Sequence, residues 1–355
     1  MNLSNLSKVL ANEPKYRYAQ VNKFLWQDYI SNWDEASNLP KTLRDRLQEE
    51  CPLEIDAEIL QSSSGNSSDK AIITLEDGQE IETVLIRQKG KSSASVRSTA
   101  EKIGRNTVCV SSQAGCPLRC SFCATGQAGF RRNLKAEEIV MQVLFWARYL
   151  KLEAKGLVDK TEKIDNIVFM GMGEPFLNYA EFIKAVKSLN NPETLNIGAR
   201  RMSVSTAGIT EGIKRLAGEK IQINLAISLH ATTDDKRRQI MPVANKYSLK
   251  DIFKAVDNYI TKTGRRVMFE YLMIKGVNDS EEDAYELANL MSQPLYLVNL
   301  IPYNEAGGKF QSSDRERIDD FKQVLDDNGV AATVRLSFGS DIDAACGQLR
   351  GKRSK

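Results

Sequence analysis

"GCPLRCSFCATG", residues 115–126, sets Cys116, Cys120 and Cys123 within eight positions, half of the six cysteines in a chain of 355 residues. Three assemblies use thiols grouped this closely: a disulfide framework, a zinc site and an iron–sulfur cluster. Each makes its own demands on the rest of the sequence.

Compartment bears on the first. The N-terminus, "MNLSNLSKVLANEPKYRY", lacks the basic start and apolar run of a signal peptide. No stretch approaches the roughly eighteen apolar residues of a membrane span. The expected location is therefore cytoplasmic, where reducing conditions make grouped cysteines metal-binding or catalytic rather than bridged. A disulfide framework drops out. Length allows one large domain of roughly 200–250 residues plus a smaller one, and a hydrophobic fraction of 42% can fill a core. Net charge is only +3, but basic residues are bunched at Arg131-Arg132, Arg200-Arg201, Lys236-Arg237-Arg238, Arg265-Arg266 and the tail "RGKRSK". Any one cluster reads best as a solvated face. Together they are compatible with a nucleic-acid backbone.

Residues 1–60 read as a small, mainly helical accessory domain. "RYAQVNKFLWQDYI" spaces Val21, Phe24, Leu25 and Ile30 along one helix face, and "LPKTLRDRLQEE" starts another helix behind a proline. Residues 61–106 hold two short strands, 71–75 and 81–86, with a hairpin signal at Asp77-Gly78, followed by a polar linker. From Thr107 to residue 349, strand-like and helical runs alternate: "TVCVS", "NIVFMGMG", "RMSVST", "INLAISLH", "RVMFEYLMI", "YLVNLIPY" and "ATVRLS" are separated by amphipathic segments. The alternation predicts an α/β fold of βα units on a parallel sheet, six or so in number. That suits a partial barrel, with a doubly wound sheet as the other form. Residues 350–355 form a basic tail. In either form ligands sit at the carboxyl ends of the strands, where "MGMGEP", "VSTAG", "SLHAT" and "PYNEA" accumulate.

Structural zinc wants a second ligand pair at a distance from the first. Cys120 and Cys123 have none, and adding Cys116 and Cys109 gives spacings unlike a zinc ribbon. A cluster held by three cysteines leaves one iron free for a small molecule.

The spacing of three and then two residues, with Phe122 before the last cysteine, resembles the signature of radical S-adenosylmethionine (SAM) enzymes, whose partial (β/α)6 barrel agrees with the alternation. More widely, "ETVLI", "CVSSQAGCPLRCSFCATGQAGFRRNL", "FMGMGEP", "AISLHA", "VNLIPYN" and "DIDAACGQL" resemble the RlmN/Cfr family of RNA adenine methyltransferases over nearly the whole chain. The resemblance implies a [4Fe–4S] cluster on Cys116, Cys120 and Cys123, chelated by SAM, with SAM contacts from Gly173, Glu174, Ser205, Ser228, Leu229, His230 and Asn304. His230, the only histidine, is expected to touch ligand rather than move protons.

Cys109 and Cys346 match the family's methyl-carrying machinery; alone, each would read as a small buried hydrophobe. Adenine carbons 2 and 8 are not nucleophilic, so direct transfer from SAM cannot reach them. The resemblance implies two SAM molecules. One methylates Cys346, and the other is cleaved to a radical that takes hydrogen from the S-methyl group. The thiomethylene carbon adds to the ring, Glu82 removes the ring proton, and Cys109 releases product as a disulfide with Cys346. Cys51 matches nothing. Implied partners are 23S rRNA, tRNA and an electron-donating reductase or flavodoxin, with the enzyme a monomer. The N-terminal segment favours the carbon-2 branch, while Phe338, where many housekeeping members carry arginine, also occurs in the carbon-8 branch. The polar 87–102 segment is longer than the connection expected there. The rivals are a carbon-8 methyltransferase, a radical SAM enzyme with a small substrate, and a zinc-stabilised RNA-binding module without chemistry.

Overall fold

The computed structural model describes residues 1, 3, 5–63, 68–88, 104–154, 163–306, 308–335 and 339–351. Most of the polar segment, Phe338 and most of the basic tail therefore lie outside the described residues. Three helices open the chain: α1 (Leu6–Leu10), α2 (Lys15–Trp26) and α3 (Lys41–Glu50). Pro14 and Pro40 sit at the N-caps of α2 and α3, where the missing N–H costs nothing. Val21 and Leu25 of α2 and Leu43 and Leu47 of α3 are buried; Phe24 is only partly so. Ile30 is buried too, but α2 ends before it, so it packs from the following turn.

Strands β1 (Ala57–Gln61), β2 (Ser68–Thr74) and β3 (Glu80–Gln88) form an antiparallel meander, with Gly78 at φ +77° in the tight turn. The expected hairpin is there, with longer strands. β1 was not expected: "AEILQ" has two charged or polar residues among five and stays partly exposed at the sheet edge. β4 (Arg105–Cys109) pairs antiparallel with β3, Val84 opposite Cys109. The sheet thus runs without a break through the expected domain boundary at 106.

The cysteine loop follows, clasped by a ribbon of β5 (Gln113–Gly115) and β6 (Phe130–Asn133) around the short helix α4 (Ala124–Ala128). Then the alternation unfolds as read: α5 (Ala136–Ala154), β7 (Asn166–Phe169), α6 (Tyr179–Asn190), β8 (Met202–Thr206), α7 (Thr210–Leu216) and β9 (Asn224–Ser228). After these come α8 (Asp234–Ile240), α9 (Leu249–Thr263), β10 (Val267–Met273), α10 (Glu281–Leu290), β11 (Tyr296–Pro302), α11 (Arg315–Asp327) and β12 (Ala332–Val334). Side-chain caps at Ser248, Ser280 and Asp314 start α9, α10 and α11.

The sheet has ten strands in the order β1-β2-β3-β4-β7-β8-β9-β10-β11-β12, and all neighbours from β4 onward are parallel. This is the α/β partial barrel, open between its two edges, with the antiparallel meander attached to its first strand. The strand interiors are apolar because both faces are covered: Phe169 meets Phe182 of α6 edge to face at 4.9 Å, and Phe253 of α9 stacks on Phe269 of β10 at 5.3 Å. Beyond β12 the chain returns across the rim toward the meander. Asp341 accepts from the Ser62 hydroxyl at 2.7 Å and the Ser63 N–H at 2.9 Å, and Lys70 donates to the Asp343 carbonyl at 3.3 Å. Among the described residues no helix is long and apolar enough to cross a membrane.

Candidate active site

The carboxyl ends of the parallel strands surround a cavity of about 200 Å³. The cysteine loop forms one wall by folding tightly on itself. Gly115 at φ +73° has no room for a side chain, since a Cβ would fall 1.8 Å from the Gly129 carbonyl. The Cys116 N–H donates to that carbonyl at 3.2 Å, and the Ala124 N–H donates to the Gly347 carbonyl at 2.7 Å. Cys116, Cys120 and Cys123 all line the cavity. Burial pushes the Cys116 thiol up to about 12 and Cys120 well above its usual value, with the neighbouring thiols adding to each. Such a trio favours a cationic group that takes up its thiolates. Among the described residues no three His, Cys, Asp or Glu side chains converge on a single-ion site. Three thiols on one wall of a cavity fit a cluster that keeps one iron open, whereas closed tetrahedral zinc takes four ligands.

The opposite wall comes from the ends of β7, β8 and β9. Gly173 at φ +98° lies against Gln113, where a Cβ would come within 2.5 Å of the Gln113 Cβ. Glu174 is 3% exposed; its carboxylate accepts from the Phe176 N–H at 3.0 Å and the Ala207 N–H at 2.7 Å. Burial nevertheless raises it to about 7. Ser205 and Ser228 face each other, hydroxyl to hydroxyl, at 3.2 Å. His230, at φ +57°, accepts through Nδ1 from the Leu272 N–H at 3.1 Å. Burial, then the charge of Arg237, lowers it to about 3, so it is neutral with its proton on Nε2. Leu229 departs from the expected set: its side chain is fully buried and does not line the cavity, while its N–H donates to the Glu270 carbonyl. Asn304 lines the cavity and donates weakly to the Cys346 carbonyl at 3.5 Å.

Cys109, at the end of β4, and Cys346, in the returning C-terminal segment, also line the cavity. They are 237 positions apart in sequence, yet burial and the nearby Cys346 together raise Cys109 to about 12. The Cys346 loop is pinned by Thr125 donating to the Leu349 carbonyl at 2.6 Å and by Gln348 donating to the Glu305 carbonyl at 2.9 Å. Glu82 is placed differently from the expectation that it reaches the ring. It is 1% exposed on β3 and outside the cavity lining. Its carboxylate accepts from the Arg350 and Gly351 N–H groups, both at 3.2 Å, and lies 3.8 Å from the Lys70 ammonium. Leu349, the residue just before these two N–H donors, lines the cavity.

The Radical SAM superfamily pattern matches residues 110–288, and the ribosomal RNA large subunit methyltransferase N-terminal domain matches residues 1–53. A probable dual-specificity RNA methyltransferase RlmN of Syntrophomonas wolfei is 44% identical, covering 95% of this chain and 92% of that protein. The chain belongs to the RlmN family of radical SAM methyltransferases. A ribosomal RNA large subunit methyltransferase N of Nitrosopumilus maritimus is 42% identical over 95% of this chain and 92% of its own. The crystal structure of a radical SAM methyltransferase from Sphaerobacter thermophilus superposes with a TM-score of 0.87 at 42% identity, covering 99% of this chain and 98% of that one.

This RlmN-family chain also uses residues that motif reading passed over. Arg237, counted above with a basic cluster, is fully buried. Its guanidinium donates to the carbonyls of Ala207 at 2.7 Å, Leu229 at 3.1 Å and Ser228 at 3.2 Å, tying the ends of β8 and β9 together. Lys236 pairs with Asp283 at 2.7 Å, Arg238 with Asp235, and Arg132 with both Asp77 and Glu138. Of these clusters Arg237 is an internal fastening and Lys236 and Arg132 are partly buried ion-pair partners, while Arg131, Arg200, Arg201, Arg238 and Arg266 are exposed. Glu270 and Arg335 line the cavity as well. Their signal in sequence was a single charge in each of two otherwise apolar or short strand runs.

Proposed function

We propose that this chain methylates carbon 2 of an adenine in 23S rRNA, and of an adenine in tRNA, with the methyl carbon carried on Cys346. One observation carries the reading: Cys109 and Cys346 stand in the same cavity as the three cluster thiols. A small-substrate radical enzyme would leave both thiols idle, and a zinc-stabilised binding module would need neither. The names of the relatives support RNA as substrate and a dual specificity.

Cys116, Cys120 and Cys123 would hold a [4Fe–4S] cluster, with Gly173, Glu174, Ser205, Ser228, His230 and Asn304 around bound SAM. The cluster and SAM would supply a carbon radical able to take hydrogen from an S-methyl group. The chain's own residues do the rest. Cys346 takes a methyl from a first SAM through its sulfur, losing the thiol proton. After hydrogen loss, its thiomethylene carbon bonds to carbon 2 of the adenine. Glu82 removes the ring proton once Arg350 and Gly351 withdraw from its carboxylate. The radical adduct gives up one electron, which the bound cluster would take back. Cys109, losing its thiol proton, then attacks the Cys346 sulfur, and the sulfur–carbon bond breaks with its electron pair on the methylene carbon. That carbon takes up a proton, leaving a methylated base and a Cys109–Cys346 disulfide. Two SAM molecules are consumed per methyl added. Electrons from a reductase or flavodoxin, and action as a cytoplasmic monomer, belong to the same proposal.

The test is mass analysis of digested rRNA and tRNA after expression in a host lacking its own enzyme. 2-Methyladenosine in both is the expected product. 8-Methyladenosine, or unmodified RNA beside active SAM cleavage, would overturn the assignment.

A further inference from the structure

Two charged side chains in the cavity have no role in the scheme above. The parallel registers set Glu270 of β10 beside Asn299 of β11, and Asn299 beside Thr333 of β12, so the three form one row across the sheet. Thr333 donates to Asn299 Oδ1, and Asn299 donates through Nδ2 to Glu270 Oε1 at 3.1 Å. One carboxylate oxygen is thus fixed from behind. The other, Oε2, is buried in a residue 4% exposed and accepts no hydrogen bond among the described residues. Leaving such an acceptor bare is costly unless a ligand meets it.

Arg335 follows β12 and stands close to that oxygen, its guanidinium 3.9 Å from Glu270 Oε2 and 3.8 Å from Met170 Sδ. Neither distance is a strong hydrogen bond, so among the described residues most of its five donors are left available. Its charge is felt by both Cys109 and Cys346. An acceptor and a donor therefore lie side by side next to the two thiols.

We propose that Glu270 and Arg335 form a fork that reads the target adenine, Oε2 of Glu270 accepting from the N6 amino group and Arg335 donating to N1. The inference rests on the reading of the chain as an adenine methyltransferase. Adenine presents an amino donor and a ring acceptor on adjacent positions, whereas guanine presents an oxygen and an N–H there and would mismatch both groups. Carbon 2 adjoins N1, so the same fork turns that carbon toward the thiols. Donation to N1 also draws electron density from the ring, which favours addition of an electron-rich thiomethylene carbon.

The experiment measures affinity, so that altered ring reactivity does not confuse the result. The probe is a synthetic 23S rRNA fragment spanning the methylated adenine, carrying adenosine, purine riboside (no N6 amino group) or 1-deazaadenosine (no N1) at that position. Binding to the cluster-reconstituted, SAM-loaded protein is followed by fluorescence anisotropy. Wild type should lose about tenfold or more with each analogue. Glu270→Gln keeps the shape of the row but turns a donor toward the base. It should bind adenosine and purine riboside alike while still discriminating against 1-deazaadenosine. Arg335→Ala should show the reverse pattern, and SAM affinity should be unchanged in both. Equal binding of all three RNAs by wild type overturns the fork, as does a Glu270→Gln variant that loses SAM binding instead. Methylation of the adenosine fragment by wild type is scored in parallel, so failure of the parent reading shows separately, as absent 2-methyladenosine.

Discussion

Lowering the pH from 7 to 5 sets two buried site residues against each other. Glu174 is raised to about 7 in the folded chain, against about 4.5 unfolded. Its native form holds the proton more tightly, so the stability it contributes is present below the unfolded value and lost as pH rises through about 7. His230 is lowered to about 3, against about 6.5 unfolded. Its contribution is present above 6.5 and lost as pH falls toward 3. Integrated from pH 7 to 5, each amounts to about 2 kcal/mol, with opposite signs. In the wild type they nearly cancel, and single substitutions expose them. Relative to wild type over this interval, Glu174→Gln should lose about 2 kcal/mol and His230→Asn should gain about 2 kcal/mol. Asparagine suits the positive φ at 230. The assay is urea unfolding of the reduced, cluster-free chain at both pH values, comparing each variant with wild type so that all other titrations cancel. Shifts of the same sign, or both below about 0.5 kcal/mol, would refute the assignment of these two environments.

Arg237→Met removes the shared donor of four carbonyls, those of Ala207, Ser228, Leu229 and Tyr247, and should cost about 3 kcal/mol in the same unfolding assay, with Arg237→Lys costing less. Replacing Cys116, Cys120 or Cys123 by alanine should collapse both bound iron and sulfide, read by chemical analysis, and release of 5′-deoxyadenosine. Glu82→Gln should leave Cys346 methylation intact and sharply reduce 2-methyladenosine, measured by mass analysis of protein and RNA from one preparation.

Local pattern made much of this molecule legible. The alternation from Thr107 mapped onto parallel strands because continuous apolar runs and amphipathic helices are dictated by a sheet covered on both faces. The cysteine spacing located the loop because three thiols on one short segment leave few chemical choices. What escaped reading depended on distant contacts. Helix α8, "DDKRRQI", offers only one apolar residue, Ile240, and the rest of its buried face is the hydrogen-bonded Arg237. The capping of Glu82 comes from N–H groups 268 and 269 positions away. The Glu270–Arg335 pair depends on the register of three strands, which no single stretch encodes.

The two-thiol scheme is tested most directly by the mass of the Cys109→Ala protein after turnover with RNA. Cys346 should then carry its methylene carbon into a bond with the adenine and find no thiol to release it. RNA covalently attached to the peptide containing "DIDAACGQL" is the predicted result, and it should vanish when Cys346→Ala is added. A Cys109→Ala protein that releases methylated RNA normally, with no adduct on Cys346, would contradict the account even with the cluster in place.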